Sequence, residues 1–518
     1  MKVRLQTILY FVVLVAAMAV VVSLFWKTAS SRLFFYDEAD YMYAGTRGFV
    51  NNYLDRPSLS AVEFIRKGLE LAHDKSQRSN MSQYVRSSGD ITFYRHYHGP
   101  AYAYWIALGQ ALGFHDEATY RASGLILHVL STTLIFWMFR FVFPEYPPIA
   151  AFVAALTFLL NRTALVSATT ITQHVMFTLT AGVTLFLMAQ FFRSGLRRWW
   201  YACVAALAVS FATVESSFIL VATIVLLLVI HAPRMGWKTV WQLFWRGVLT
   251  FAAVSLVVWP KGIFQLGVVK GYLYLAYMAL SRKTFTPISP VEFWVFKLRE
   301  YPDEFVIPIV ALVATALWWK KLSSRQAILP FFVYSWMFIG VTMVITLPYT
   351  YYHASLLMSC SVVVGAMFGE LWRKNAMAGI GAAVIVLISL VEMDVRYYRE
   401  TVVVKTASDP RFELLAYVKS EKPPRTLYVP FVLVPTLHFY TPELTAIGYE
   451  ANRSPTDFAS ALLAAGPNAE FFCEQALCDA VESQFQAARV VPVMGADKEL
   501  DEGPLYSVVV NNGLPLNR

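Results

Sequence analysis

The sequence predicts a polytopic α-helical membrane protein of about eleven spans, followed by a soluble extracytoplasmic α/β domain. Three observations lead there. Of its 518 residues, 57% are hydrophobic and only 15% charged, where a soluble domain carries about 25% charged residues. Apolar runs long enough to cross a bilayer recur up to residue 392. The basic loops between them fall on one side.

The first run, 8–26, follows Lys2 and Arg4, which hold its start in the cytoplasm. It exceeds the about 7–15 apolar residues of a signal peptide, so it reads as a retained anchor. Later runs occupy 121–142, 148–165, 173–192, 199–214, 217–231, 247–266, 304–319, 327–347, 353–371 and 376–392. Arg140, then Arg193, Arg197 and Arg198, then Arg234, Lys238 and Arg246, then Lys320, Lys321 and Arg325, then Arg373 and Lys374 all share the side of the N-terminus. Segment 101–114 is apolar but shorter than the about 20 residues a span needs. Counted as a span, it would put every later basic loop outside, so it reads as an interfacial or re-entrant helix. The membrane module is then 1–392, with an outer loop at 27–120. Abundant aromatics suit interfacial belts, and no internal repeat suggests an inverted-repeat transporter.

Residues 393–518 hold 11 Lys+Arg against 16 Asp+Glu, although the whole chain carries +9. A basic membrane part and an acidic tail exclude a nucleic-acid binder. In the tail, 410–420 has helical spacing, 426–434 is β-rich, 455–465 and 476–488 are again helical, and 506–510 reads as a last strand. Cys473 and Cys478 can pair or stay as two thiols, and with no His nearby they form no metal site. Cys203 and Cys360 fall inside spans as small apolar residues.

The chemistry concentrates in the outer loop. Asp37-Glu38-Ala39-Asp40-Tyr41 sets three carboxylates just outside the first span. Asp37 and Asp40 have the spacing of a helix cap and its partner, worth about 1 kcal/mol, yet a carboxylate there can also serve as a base. Helices are expected over 41–53 and 59–73, the second amphipathic and suited to the bilayer interface or to the bundle. Arg95, His96 and His98, with Arg121 at the start of the second span, form a cationic set suited to an anionic headgroup, since phosphate takes several charge-assisted donors. Each alone could instead snorkel among lipid headgroups. Lys261 and Lys270 could add charge, and Tyr351, Tyr352 and His353 form an aromatic cluster opening the tenth span. Glu215 reads more readily as a solvated hairpin acid than as a functional one. Loop 267–303 could act as a lid.

An acidic motif after the first span, then His98-Gly99-Pro100-Ala101-Tyr102 opening a short helix, then Arg121-Ala122-Ser123 opening the second span, resembles the GT-C glycosyltransferases. The branch of protein O-mannosyltransferases and the lipid A aminoarabinose transferase is the nearest in pattern. The resemblance covers the first 200 or so residues by motif and the rest by architecture. It implies transfer of a sugar, with inversion, from a polyprenyl-phosphate donor to an extracytoplasmic glycolipid, polysaccharide or protein acceptor. It also implies a bacterial inner membrane location, with the site and the C-terminal domain on the periplasmic face. Asp37 is then the catalytic base, and Glu38, Asp40 and Tyr41 bind acceptor, donor or a cation, with Asp37 and Glu38 the candidate ligands of a divalent metal. Two positions depart from the family pattern. The aminoarabinose branch has a Lys before the Pro, where this chain has Gly99, and an acid expected at the start of the fourth span is replaced by Gln173-His174. The alternative is a transporter or flippase of a lipid-linked anion, for which His128, Asn161 and His174 are nearly the only polar groups at depth.

Overall fold

The computed structural model describes residues 2–35, 37–46, 66, 99–260, 290–300, 303–323, 326–344, 350–406, 409–420, 426–449, 469–475, 477–479, 488–495 and 504–510. Each of the eleven apolar runs falls on a helix or a bent helix pair. Seven of these helices are long and apolar enough to cross a membrane. Among the described residues one further pair, Pro148–Leu159 and Arg162–Ala168, is long and apolar enough when taken together, with a bend of 60° between its halves. That bend has a local cause. Asn161 sits between the two helices with its side chain accepting from Ala164 N, while the Leu159 carbonyl, orphaned at the first helix's end, accepts from His128 Nε2 at 3.1 Å. His128, weighed above as a transporter group, thus serves the broken helix.

Boundaries moved in two places. The seventh run begins earlier, as Trp237–Val258, so Lys238 and Arg246 lie on its first turns rather than in a loop. The last helix, Ala376–Thr406, continues well past 392. Segment 101–114 forms the short helix Ala101–Ala111. Its Ala101 N donates to Ala212 O at 2.9 Å, and Tyr104 OH donates to Val258 O at 3.1 Å.

The C-terminal region is a five-stranded sheet in the order β2-β1-β3-β5-β4, from β1 (Thr426–Pro430), β2 (Thr445–Tyr449), β3 (Ala469–Glu474), β4 (Ala488–Met494) and β5 (Leu505–Val510). β1 pairs parallel with β2 and β3, and β5 antiparallel with β3 and β4. The helix Arg411–Ser420 packs Leu414, Leu415 and Val418 into the sheet's core. The β-rich run 426–434 splits: the strand stops at Pro430, which has no N–H to donate, and Pro435 sits in the first turn of a helix, Val434–Tyr440. The expected helix at 476–488 is corrected at its end, where Ala488 already begins β4. That at 455–465 lies outside the described residues, as does 59–73 apart from Arg66. Cys473 and Cys478 form a disulfide that closes the end of β3.

Candidate functional site

The acidic motif forms the helix Asp37–Thr46, with Asp37, Glu38 and Asp40 in its first turn, where carboxylates are favoured by the helix's positive end. Asp37 is therefore the first residue inside the helix rather than its cap. Ala39, Asp40, Met42 and Ala44 make the buried face, and the helix packs on both Ala101–Ala111 and Val434–Tyr440.

Arg121 determines how this helix is held. Its Nε and one terminal nitrogen donate to the two Glu38 oxygens at 3.0 and 2.6 Å. Its remaining donors reach the carbonyls of Ser30 at 2.7 Å, Arg32 at 2.6 Å and Leu33 at 3.1 Å. A guanidinium has five N–H donors, and all five are used. Arg121, expected from sequence to bind phosphate, thus directs its donors to the protein itself. Glu38 is likewise engaged, since its Oε1 also accepts from Ile171 N at 3.0 Å. Among the described residues no group of three His, Cys, Asp or Glu is placed to hold a metal.

Asp37 opens the same helix and acts electrostatically on Tyr41. Burial pushes the Tyr41 phenol well above its ordinary value, and the negative charges of Asp37 and Glu215 push it further, with Tyr352 and Tyr351 adding to them. Tyr41 packs edge-to-face on Tyr102, with ring centroids 5.5 Å apart. Burial raises the Tyr102 phenol too, and the charge of Glu38 adds to it. Both therefore stay neutral at any physiological pH. The His174 ring lies 4.4 Å from Tyr352 and 5.5 Å from Tyr351. Thus Asp37, Tyr41, Glu215, Tyr351 and Tyr352 converge from three separate parts of the chain.

His353 is placed differently. Its Nδ1 lies 3.2 Å from Glu304, which also accepts from Lys297 Nζ at 3.1 Å and from the Thr350 hydroxyl. This buried cluster anchors the turn carrying Tyr351 and Tyr352. Asp40 is nearly fully buried. Arg95, His96, His98, Lys261 and Lys270, and the proposed lid up to 289, lie outside the described residues.

Residues 97–259 match the family model described as dolichyl-phosphate-mannose-protein mannosyltransferase. Among solved structures, ArnT from Cupriavidus metallidurans bound to undecaprenyl phosphate superimposes with a TM-score of 0.55 at 15% identity, covering 97% of this chain and 98% of that one. Its apo form gives 0.57 at 14%, covering 98% and 99%. The oligosaccharyltransferase of Archaeoglobus fulgidus in its apo form gives 0.55 at 10% identity, covering 98% of this chain and 75% of that one. A comparison with curated protein sequences finds no match. The chain has the GT-C fold.

Within that fold, the departure at Gly99 has a steric cause. A Cβ there would stand 2.0 Å from the Ala212 carbonyl oxygen, so no lysine can occupy the position while the helix Ala101–Ala111 docks as it does. One acid near Tyr41 is placed differently from its sequence reading. Glu215 follows the end of the fifth apolar run in a short 3-10 turn, half-buried near Tyr41, where sequence suggested a solvated hairpin acid. Its signal was faint: one acid at the outer edge of a span.

Proposed function

We propose that this protein is a membrane glycosyltransferase that moves a sugar from a polyprenyl-phosphate donor to an extracytoplasmic hydroxyl acceptor, with inversion at the anomeric carbon. The observation that carries the reading is the division of labour between adjacent carboxylates: Glu38 is neutralised and held by Arg121, while Asp37 stands with Tyr41 and Glu215. A base must accept a proton within hydrogen-bond reach of the attacking oxygen. Both Glu38 oxygens are already taken, by Arg121 and by the Ile171 amide, so we give the role to Asp37. The acceptor hydroxyl transfers its proton to Asp37 as its oxygen bonds to the anomeric carbon. On the opposite face the carbon–phosphate oxygen bond breaks, and the electron pair leaves with polyprenyl phosphate. That leaving group requires charge neutralisation rather than a strong acid. Arg95, His96, His98, Lys261 and Lys270 are proposed for it, with Tyr351 and Tyr352 lining the sugar. Likeness in fold to an ArnT captured with undecaprenyl phosphate supports a lipid-linked donor. Acceptors of the glycolipid, polysaccharide and protein classes are all compatible with the fold, and we place the site and the C-terminal domain on the periplasmic face of a bacterial inner membrane.

The transporter reading loses ground because the polar groups at depth have structural tasks: His128 serves the Leu159 carbonyl, Asn161 caps a helix and His174 packs against tyrosines. The test is an assay with radiolabelled polyprenyl-phosphate sugars in detergent. Product formation by the wild type, lost in Asp37→Asn with polyprenyl phosphate binding retained, is the expected result. Full turnover in Asp37→Asn would remove Asp37 from its role, and vectorial movement without product would favour the transporter.

A further inference from the structure

The short strap that leads into the acidic motif is gripped from above as well as from below. Arg121 holds the carbonyls of Ser30, Arg32 and Leu33 from the membrane side. The C-terminal domain takes the other backbone groups. Leu33 N donates to Asp409 Oδ2 at 3.0 Å, Phe34 N to the Tyr440 hydroxyl at 3.0 Å, and the Phe34 carbonyl accepts from Thr436 Oγ1 at 3.0 Å.

Side chains repeat the pattern. Leu33 is 3% exposed and belongs to the same buried cluster as Leu414, Leu427 and Phe472, so the soluble domain completes its core with a residue from the start of the chain. The Arg411 guanidinium, paired with Asp409 at 2.7 Å, lies 4.6 Å over the Phe35 ring. Phe34 is packed by the rings of Phe439 and Tyr440. Tyr440 closes the circuit by donating to Glu117 Oε1 at 2.7 Å, one helical turn before Arg121. The strap residues that the domain holds, Leu33, Phe34 and Phe35, all lie within four residues of Asp37.

We propose that the C-terminal domain is a working part of the transfer site: through the hydroxyls of Thr436 and Tyr440 it holds the strap at Phe34 and so sets the position of Asp37 and Glu38. Thr436 and Tyr440 are positioning residues, and the proposal rests on the function given above. Its physical basis is the steep dependence of transfer on the geometry of the reacting groups. Without the upper grip the strap would keep Arg121 but lose the contacts that fix its height above the membrane.

The test compares Thr436→Val and Tyr440→Phe, singly and together, in the full-length protein. Both keep side-chain volume and remove one hydroxyl. Thr436→Ser restores the donor, and Tyr417→Phe is a control: its hydroxyl bonds Glu470 and Ser507 inside the same domain and touches no strap residue named here. Two readouts are taken. Hydrogen exchange at the Leu33 and Phe34 amides should quicken by about tenfold or more in the double variant and stay unchanged in Tyr417→Phe. In the transfer assay, kcat should fall by about tenfold to a hundredfold with the donor KM unchanged, and Thr436→Ser should recover most of the Thr436→Val loss. Unchanged exchange in the double variant overturns the proposal, as does unchanged kcat, or a Tyr417→Phe loss as large as that of Tyr440→Phe. If the wild type transfers no sugar at all, the proposed function fails, and the exchange data alone decide whether the domain holds the strap.

Discussion

Replacing Arg121 by methionine separates two tasks that a buried arginine can have. Methionine keeps much of the length and removes the charge and all five donors. It strands the carbonyls of Ser30, Arg32 and Leu33 and leaves Glu38, whose side chain is only 15% exposed, without its counter-charge. Removing one partner of a buried ion pair costs about 3–5 kcal/mol. Total stabilities run about 5–15 kcal/mol, so a large drop in thermal stability in detergent is expected. Arg121→Lys keeps the charge but can fill at most three of the five bonds, none in the planar fork that Glu38 accepts, and should fall between. Adding Glu38→Gln to Arg121→Met removes the stranded charge and should recover part of the loss, a coupling of about 1 kcal/mol or more. The assay is thermal unfolding followed alongside polyprenyl phosphate binding. A clamp lowers stability in Arg121→Lys while the intact fraction binds donor with unchanged affinity. If instead Arg121→Met unfolds like the wild type and loses donor affinity, the residue is a phosphate ligand and the reasoning from its saturated donors is wrong.

Two further outcomes follow from single contacts. Gly99→Ala places a methyl group on the Ala212 carbonyl, where a Cβ has 2.0 Å. Overpacking against backbone should cost about 1–3 kcal/mol, measurable as reduced yield and a lowered unfolding temperature, and Gly99→Lys should be no better tolerated; normal stability in Gly99→Ala would mean that helix Ala101–Ala111 docks differently. The contact between Asp409 and the strap should depend on pH. Burial pushes the Asp409 carboxyl up, but hydrogen bonds and charge from Arg411, with the Leu33 and Arg411 amides, outweigh it and hold the group below its usual value. A depressed carboxyl contributes stability that is complete above its unfolded value of about 3.9 and is lost as pH falls through the folded one. Limited proteolysis around residue 33 should therefore show protection at pH 7 and at pH 5, with exposure only in stronger acid; cleavage that begins near pH 6 would point to another group.

Much of the membrane part was legible because its signal is local. A span must be apolar over its whole length, so every run from 8 to 392 could be found one at a time. The short segment 101–114 was assigned by the same count. Within the soluble domain the same reasoning was weaker. The end of β1 at Pro430 and the helix from Val434 sit inside one β-rich run, since packing against the strap, more than propensity, decides what these residues form.

At the acidic motif, the sequence by itself determined that three carboxylates open a helix soon after the first apolar run, and that an arginine opens the next one. It could not tell which carboxylate that arginine would take. Glu38 and Asp37 are chemically alike and adjacent, and a helix turns successive residues by about 100°, so they face different surroundings. Only the tertiary structure put Glu38 on Arg121, 83 residues away, and Asp37 with Tyr41 and Glu215. Only it brought Tyr440 and Thr436 onto Phe34 across some 400 residues. Such contacts leave no periodic trace along the chain, because the partners are chosen by the packing of whole layers and not by neighbours in sequence.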